Sequence, residues 1–232
     1  MNFRKKLKAI FIKWILLFKY IFQSNSTEII EFRIASSDDE LKKTYRLRYE
    51  VYCLEKGYLN PENYSEKQEI DEFDKRSGTA SIIAIDRNNI IIGMMRIVPN
   101  DLYNPELPSE SYYSLKEYRK YNKNIAELSR FIISKTYRKN IRIYFGLVKG
   151  AMLYAKKCGI NNFCISVSTL FTDRYLIFGF KKVSGPYFYS KINHQCPSFT
   201  MCLNINKAAE NMNKMNPAFS KYLTKKTPEI KI

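Results

Sequence analysis

The sequence predicts an α+β fold in three layers: a mixed, mostly antiparallel sheet with helices flanking it. Three observations carry the prediction. Ala80–Ile85 and Ile90–Val98 are apolar, β-branched runs joined by Asp86-Arg87-Asn88-Asn89, a strong hairpin signal. Strand-like and helical runs follow in the order strand, helix, hairpin, strand, helix, strand, helix, strand, strand. Between them, Ile125–Ser134 has the pattern of a central strand yet carries two ions, Glu127 and Arg130.

The chain starts with a distinct segment. Residues 3–22 are basic at Arg4, Lys5, Lys6 and Lys8, then apolar to Phe22 with Lys13 and Lys19 interposed. At about 100° per residue, Ile10, Phe11, Trp14, Ile15, Leu17, Phe18, Ile21 and Phe22 share one uncharged sector. A basic amphipathic helix with Trp and Phe is the pattern of an interfacial membrane anchor; docking onto its own domain or a second subunit is the alternative. A span needs about 20 apolar residues, and no small-residue cleavage pattern follows in Gln23-Ser24-Asn25-Ser26. Residues 1–27 are therefore helix and linker, 28–206 the main domain, and 207–232 a C-terminal helix with a frayed tail.

Within the domain, Ile29–Ile34 is a strand. Ser36, Ser37, Asp38 and Asp39 offer N-caps for a helix from Asp38 to Lys56 that Gly57 ends. Asn60–Lys67 is a loop, followed by the acidic run Glu69–Asp74, in which Asp71 and Asp74 either hold a cationic amine or fix arginines. The hairpin's second strand carries Arg96. Residues 99–124 form a long irregular connection with a short helix near Leu115–Lys120, and loops of that length tend to be functional. Ile141–Cys158 is a helix stopped by Gly159, Phe163–Val167 a buried strand, and Thr169–Phe178 a short helix. Gly179–Val183 and Ser198–Ile205 are the last strands.

Composition narrows the partners. With 232 residues the chain supports one sizeable core, and its 18 Tyr and 15 Phe suit either an apolar cavity or an aromatic core. A net charge of +17, spread along the chain, favours an acidic partner: nucleic acid, an anionic membrane or an acidic protein. No RNP-like motif, helix-turn-helix signal or Arg-rich run supports nucleic acid. The five cysteines, Cys53, Cys158, Cys164, Cys196 and Cys202, form no CxxC pair and are expected as reduced thiols of a cytosolic protein. The lone His194 cannot anchor a His-rich metal site, so no metal is expected. In Glu127-Leu128-Ser129-Arg130-Phe131, alternation sends residues three apart to opposite faces unless a bulge re-aims one, and bulges are common beside active sites.

This organisation resembles the GNAT acyltransferase fold, a sheet that opens beside its fourth strand to admit a pantetheine thioester. Arg48, Tyr52, Tyr58, Asp71, Asp74, Arg96, Glu127 and Arg130 fall in the order and close to the spacing of signature positions of acyl-homoserine lactone synthases. Arg48-Tyr49-Glu50-Val51-Tyr52-Cys53-Leu54-Glu55-Lys56-Gly57-Tyr58-Leu59 and Glu127-Leu128-Ser129-Arg130-Phe131 look closer to a sister branch. That branch holds the long-chain N-acyl amino acid synthases and the acyltransferases associated with PEP-CTERM/exosortase systems. The similarity spans about Tyr45 to Asn204. Two departures stand out: Tyr58 occupies a position that is usually Trp in lactone synthases, and Arg138-Lys139-Asn140-Ile141-Arg142 lacks the glycines of the acetyl-CoA pyrophosphate loop.

The resemblance implies an N-acyltransferase. A long-chain acyl group would pass from an acyl carrier protein or acyl-CoA thioester to the amine of an amino acid or similar small metabolite. No cofactor beyond that co-substrate is implied. Glu127 would be the base, with Ser129 and Arg130 beside it in the catalytic strand. Arg130 would orient Glu127 or, with Arg48 and Arg96, bind the acceptor's carboxylate. Tyr52, Tyr58, Asp71, Asp74 and Phe131 would line the substrate site. Tyr112, Tyr113, Phe131, Phe145 and Phe163 are candidates for an acyl tunnel, with ordinary core the alternative for each one separately. The helix start at Ile141, with Arg138, Lys139 and Arg142, would meet the donor's phosphate. A basic loop of this kind suits the phosphopantetheine of an acidic carrier protein, which also accounts for the charge. Such an enzyme would be cytoplasmic, with peripheral contact at the inner face of the membrane through residues 3–22. An autoinducer synthase of the lactone type is the alternative, and a basic membrane-peripheral or nucleic-acid-binding protein the alternative from another class. Glu127 is expected in the cleft where the sheet splays, near at least one of Arg48, Arg96 and Arg130.

Overall fold

The hairpin lies in the middle of the sheet. In the computed structural model, which describes residues 29–100, 106–176, 178–189 and 196–232, β2 (Ala80–Asp86) and β3 (Ile91–Pro99) pair antiparallel. Every residue from Ala80 to Ile85 and from Ile91 to Val98 is buried, which is why both runs are continuously apolar instead of alternating. On one side β1 (Ile30–Ile34) pairs antiparallel with β2, and β8 (Ile230–Lys231) pairs parallel with β1. On the other side β4 (Ile125–Ile133) runs antiparallel to β3, and β5 (Asn162–Ser168) parallel to β4. β7 (Ser198–Asn204) and β6 (Lys181–Lys182) complete the order β6-β7-β5-β4-β3-β2-β1-β8.

Helices cover both faces. The first, α1 (Asp38–Tyr49), starts at Ser37, whose hydroxyl accepts from the Glu40 amide. It continues as one wider π-type turn, Glu50–Glu55, and this places Leu47 and Val51 on Ile83, Ile85 and Met94. A short helix, α2 (Lys116–Tyr121), lies in the long connection before β4. On the opposite face α3 (Ile141–Lys157) packs Ile143, Leu147 and Ala151 against Ile82, Ala84, Ile97 and Phe163. The close approach of α3 to β1 requires glycine: a Cβ on Gly146 would lie 2.0 Å from Phe32 Cζ. Three more helices follow, α4 (Thr172–Leu176), α5 (Ile205–Met215) and α6 (Pro217–Thr224). The last two close around Phe145 through Met212, Phe219 and Leu223.

Several expectations are corrected. The C-terminal residues do not fray: Ile230 is buried, the Phe32 amide donates to the Glu229 carbonyl at 2.7 Å, and buried Lys149 donates to Thr227 Oγ1 at 2.6 Å. Pairing across some 200 residues leaves no local signal in a Lys-rich tail. Nor are all five cysteines reduced thiols. Cys164 and Cys202 stand opposite each other in β5 and β7, with Cα atoms 4.2 Å apart, and form a disulfide, while Cys53, Cys158 and Cys196 are in no disulfide. A cross-strand pair 38 residues apart is set by sheet register and matches no spacing motif. Phe145 and Phe163, candidates for a tunnel, are core residues under α3 and α6. The N-terminal helix expected over 3–22 lies outside the described residues. Among the described residues no helix is long and apolar enough to cross a membrane.

Gly146→Ala should therefore destabilise the fold although alanine is the better helix former, because the methyl must displace Phe32. An overpacked core site costs about 1–3 kcal/mol, read as a lower urea midpoint; an unchanged or raised midpoint would show that Phe32 yields freely.

Candidate active site

β4 and β5 part company at Glu127. They pair only at Ile125↔Asn162, Ala126↔Phe163 and Glu127↔Cys164, after which Leu128–Phe131 are half-buried and unpaired on the β5 side. β4 is also irregular toward β3, where the register shifts between Met94 and Arg96. Arg130 takes φ 53°, a left-handed conformation that a non-glycine residue adopts only when its surroundings impose it. This is the bulge that the ionic strand invited. It turns Arg130 onto the side of Arg96, where strict alternation would have sent it to the other face.

Three arginines and three carboxylates meet there. Arg48, buried in α1, donates from Nε to Glu69 at 2.5 Å and with its two terminal nitrogens to Asp74 at 2.7 and 2.9 Å. Arg96, buried in β3, donates to Asp71 at 2.6 Å, to Asp74 at 2.8 Å and to Ser129 Oγ at 3.0 Å. Arg130 donates to Glu69 at 2.9 and 2.8 Å and to Asp71 at 2.8 Å. Burial opposes the charge on Glu69, but the Arg130 and Arg48 guanidiniums overcome it and hold the carboxyl at about 2. Asp74 is likewise buried and likewise held below the usual range, by Arg48 and Arg96. The turn that carries these acids is capped by its own members: Asp71 accepts from the Phe73 amide and Asp74 from the Asp71 amide. Tyr52 lies under Arg130, 5.6 Å from ring centre to guanidinium carbon, and Tyr58 packs beside Tyr52. One donor is left over: Arg96 Nη2 is buried and has no hydrogen-bond acceptor.

Between the two aspartate roles left open by the sequence, the geometry selects the fixing of arginines. It also adds Glu69, which the family pattern does not single out. Charge balance was the available signal, since three arginines taken from water need as many carboxylates.

Glu127 stands apart from this network. It is 2% exposed, and its Oε2 accepts the Ser109 amide at 2.8 Å. Burial pushes its carboxyl up to about 7, against the Ser109 amide and the more distant Arg96 and Arg130. Among the described residues no arginine pairs with it, so Arg130 does not orient it by contact; the segment around Ser109 does. That segment is held by Glu110, which accepts the Leu107 and Leu115 amides and pairs with Arg119. The long connection before β4 thus acts on the site through one amide.

The remaining predicted residues are elsewhere. Phe131 packs edge-on against Tyr144, with centroids 5.0 Å apart. At the C-terminal end of β4, Arg138 is bound to Glu55 by both terminal nitrogens, Lys139 is exposed, and Asn140 caps α3 by accepting the Arg142 amide. Arg138 therefore ties the turn after α1 to the start of α3, with its charge already matched.

Comparison with known proteins places this geometry. The family model for N-acyl amino acid synthase FeeM matches residues 43–204. FeeM itself, from uncultured soil microbes, superposes at TM-score 0.64 with 20% identity, covering 79% of this chain and 95% of its own. The CoA-dependent acyl-homoserine lactone synthase BjaI, solved with SAM and isopentyl-CoA, superposes at 0.62 with 17% identity over 80% of this chain and 89% of its own. An acyl-CoA N-acyltransferase from Pseudomonas aeruginosa reaches 0.52 with 16% identity over 76% and 99%. No curated protein sequence matches the chain. A buried ionisable carboxyl at the parting of β4 and β5, on a GNAT sheet with a family match over most of the domain, makes the chain an acyltransferase that belongs to the FeeM N-acyl amino acid synthase family.

Proposed function

We propose that the enzyme transfers an acyl group from a thioester to the amine of an amino acid or similar small metabolite, with Glu127 as the general base. The observation that carries this is a carboxyl with an ionisation near 7, buried at the point where two parallel strands separate. A free amine is mostly protonated at neutral pH and must lose a proton before it can attack. Glu127 takes that proton directly or through one water. The amine nitrogen then adds to the thioester carbonyl, and the backbone N–H groups of β4 beyond Glu127, unpaired toward β5, are suited to holding the oxyanion. Addition has already formed the C–N bond; collapse restores the carbonyl and breaks C–S, and the nitrogen's second proton passes to the departing thiolate. No covalent enzyme intermediate is needed.

Arg96 Nη2 supports an acceptor that carries a carboxylate. It is a buried, unmatched donor on the residue bonded to Ser129, two positions along β4 from Glu127. An α-amino acid bears amine and carboxylate on one carbon, so one molecule can meet both groups. On the donor side, the net charge of +17 and the glycine-free start of α3 suit the phosphopantetheine of an acidic carrier protein. Residues 3–22 would add peripheral contact with an anionic membrane at the cytoplasmic face.

Incubation with acyl carrier protein or acyl-CoA thioesters and a panel of amino acids should give N-acyl amides by mass spectrometry. Glu127→Gln should lower kcat by roughly 10²–10⁴ while the fold is retained; full turnover in that variant would sink the base assignment. In the wild type kcat/KM should climb as pH rises through about 7, where Glu127 loses its proton, and that limb should vanish in Glu127→Gln. The native state holds this proton up to about 7 and the unfolded chain only to its ordinary 4.5, so the Glu127 contribution to stability falls as pH rises across that window. Removing one charge from the network should be costly for the fold itself: Glu69→Gln leaves Arg48 and Arg130 underneutralised, and a broken buried pair costs about 3–5 kcal/mol, measurable as a lower denaturation midpoint.

A further inference from the structure

An acyl thioester with its carbonyl beside Glu127 has its path set by the walls of the gap. Its pantetheine arm must enter from the C-terminal ends of β4 and β5, because the strands are paired and closed at Ile125–Glu127. Beyond the carbonyl, one face is sealed: Phe163, Ile165 and Met201 pack with Ile143 and Leu147 of α3 in a buried apolar core. The other face is less closed past Cys164, where Ser166 of β5 is half-buried. There Cys164 lies opposite Glu127, and Ser166 follows two residues later on the same side of β5, about 7 Å along the strand. Ser166 is in turn opposite Thr200 of β7.

Three tyrosine rings cover this spot. The segment before β7 bridges to the sheet through Tyr187 and Ser198. As in any extended segment, alternate side chains turn inward: Tyr187 and Tyr189 face the sheet, whereas Phe188 between them is 61% exposed. The Tyr187 hydroxyl is tied to Ser166 Oγ at 2.5 Å and Thr200 Oγ1 at 3.0 Å. Tyr112, from the long connection before β4, stacks on Tyr187 at 5.7 Å and meets Tyr189 edge-on at 4.5 Å. Burial raises the ionisation of Tyr187, against its hydrogen bonds to Ser166 and Thr200, and burial followed by the neighbouring Tyr187 raises that of Tyr189. With the Tyr187 hydroxyl engaged by Ser166 and Thr200, what its ring offers an acyl chain is apolar surface.

We infer that Tyr112, Tyr187 and Tyr189 form the end wall of the acyl pocket and set the length of chain the enzyme accepts, an assignment that rests on the acyl-transfer function proposed above. The sequence marked Tyr112 alone of the three, because only the sheet register brings the segment before β7 to the face of Glu127.

The test is the dependence of kcat/KM on donor length, with acetyl, hexanoyl, dodecanoyl and hexadecanoyl pantetheine thioesters and a fixed amino-acid acceptor. Shortening the wall in Tyr187→Ala and in Tyr112→Ala should raise the hexadecanoyl-to-hexanoyl ratio about tenfold or more, since even one methylene of pocket space is worth about that much. The acceptor KM should not move, and Tyr187→Phe, which keeps the ring, should keep the wild-type profile. Tyr112→Leu, which leaves the Tyr187 hydroxyl bonds in place, decides the matter if an alanine variant fails to fold by circular dichroism. Ratios within about twofold of wild type in folded, active variants overturn the wall assignment alone. A wild-type enzyme that transfers no acyl group from any thioester overturns the acyl-transfer function beneath it.

Discussion

Two fully buried guanidiniums and a third that is partly buried constrain everything around them. Arg48 and Arg96 are fully buried and the Arg130 side chain is 22% exposed, and removal from water costs several kcal/mol per ion unless partners compensate. Compensation here consumes every carboxylate in the neighbourhood but one. Glu69, Asp71 and Asp74 are each bonded to two arginines, which holds their turn against α1 and β3 and imposes the left-handed Arg130 on β4. Because the arginines are already matched, none is left to pair with Glu127. That carboxyl experiences burial without an ionic partner, and this is why it ionises near 7 when Glu69, some of the same burial notwithstanding, ionises near 2. The proposed base is produced by exclusion from the network rather than by membership in it.

The two sides of Glu127 accordingly differ in character. Toward β3 the site is a saturated lattice of charged hydrogen bonds with one vacancy, at Arg96 Nη2. Such a lattice has one low-energy arrangement and suits an acceptor whose amine must be held at a fixed distance from its base. Toward β5 the strands diverge, and what faces the gap is hydroxyl and ring: Ser166, Thr200 and the tyrosines. Under the proposed mechanism, polar recognition and apolar accommodation are divided by a single strand, β4, which also carries the proposed base.

Much of this was legible in the sequence for a definite reason. The hairpin, α3 and β4 announce themselves because their periodicity or apolar run is local, and Glu127 with Arg130 stood out because ions in a central strand are costly. The bulge could be foreseen on the same ground: residues three apart serve one site only if the strand is irregular. Glu69 was less visible because its role depends on how many arginines need neutralising, a sum over distant elements. The Cys164–Cys202 pair, the β8 edge strand and the Tyr187–Tyr189 segment are matters of long-range register, and no window of sequence contains both partners. Ser109 was hidden more thoroughly still, since the 2.8 Å hydrogen bond it donates to Glu127 comes from the backbone amide, which carries no residue-type signal.

A buried ionic network of this size is weak evidence for stability, because hydrophobic replacements of similar volume often do as well or better. The stability of this fold has another source in β2, β3 and α3, whose buried apolar residues form the main core. What the network supplies is uniqueness of geometry. Hydrophobic side chains could fill the volume of Arg48, Arg96 and Arg130, but they could not fix the β4 bulge, leave a buried donor unmatched, or keep Glu127 beside matched charges that scarcely perturb it. The network is therefore better understood as the scaffold of the proposed base than as a component of folding energy, and the hairpin core as the element that makes such a scaffold tolerable.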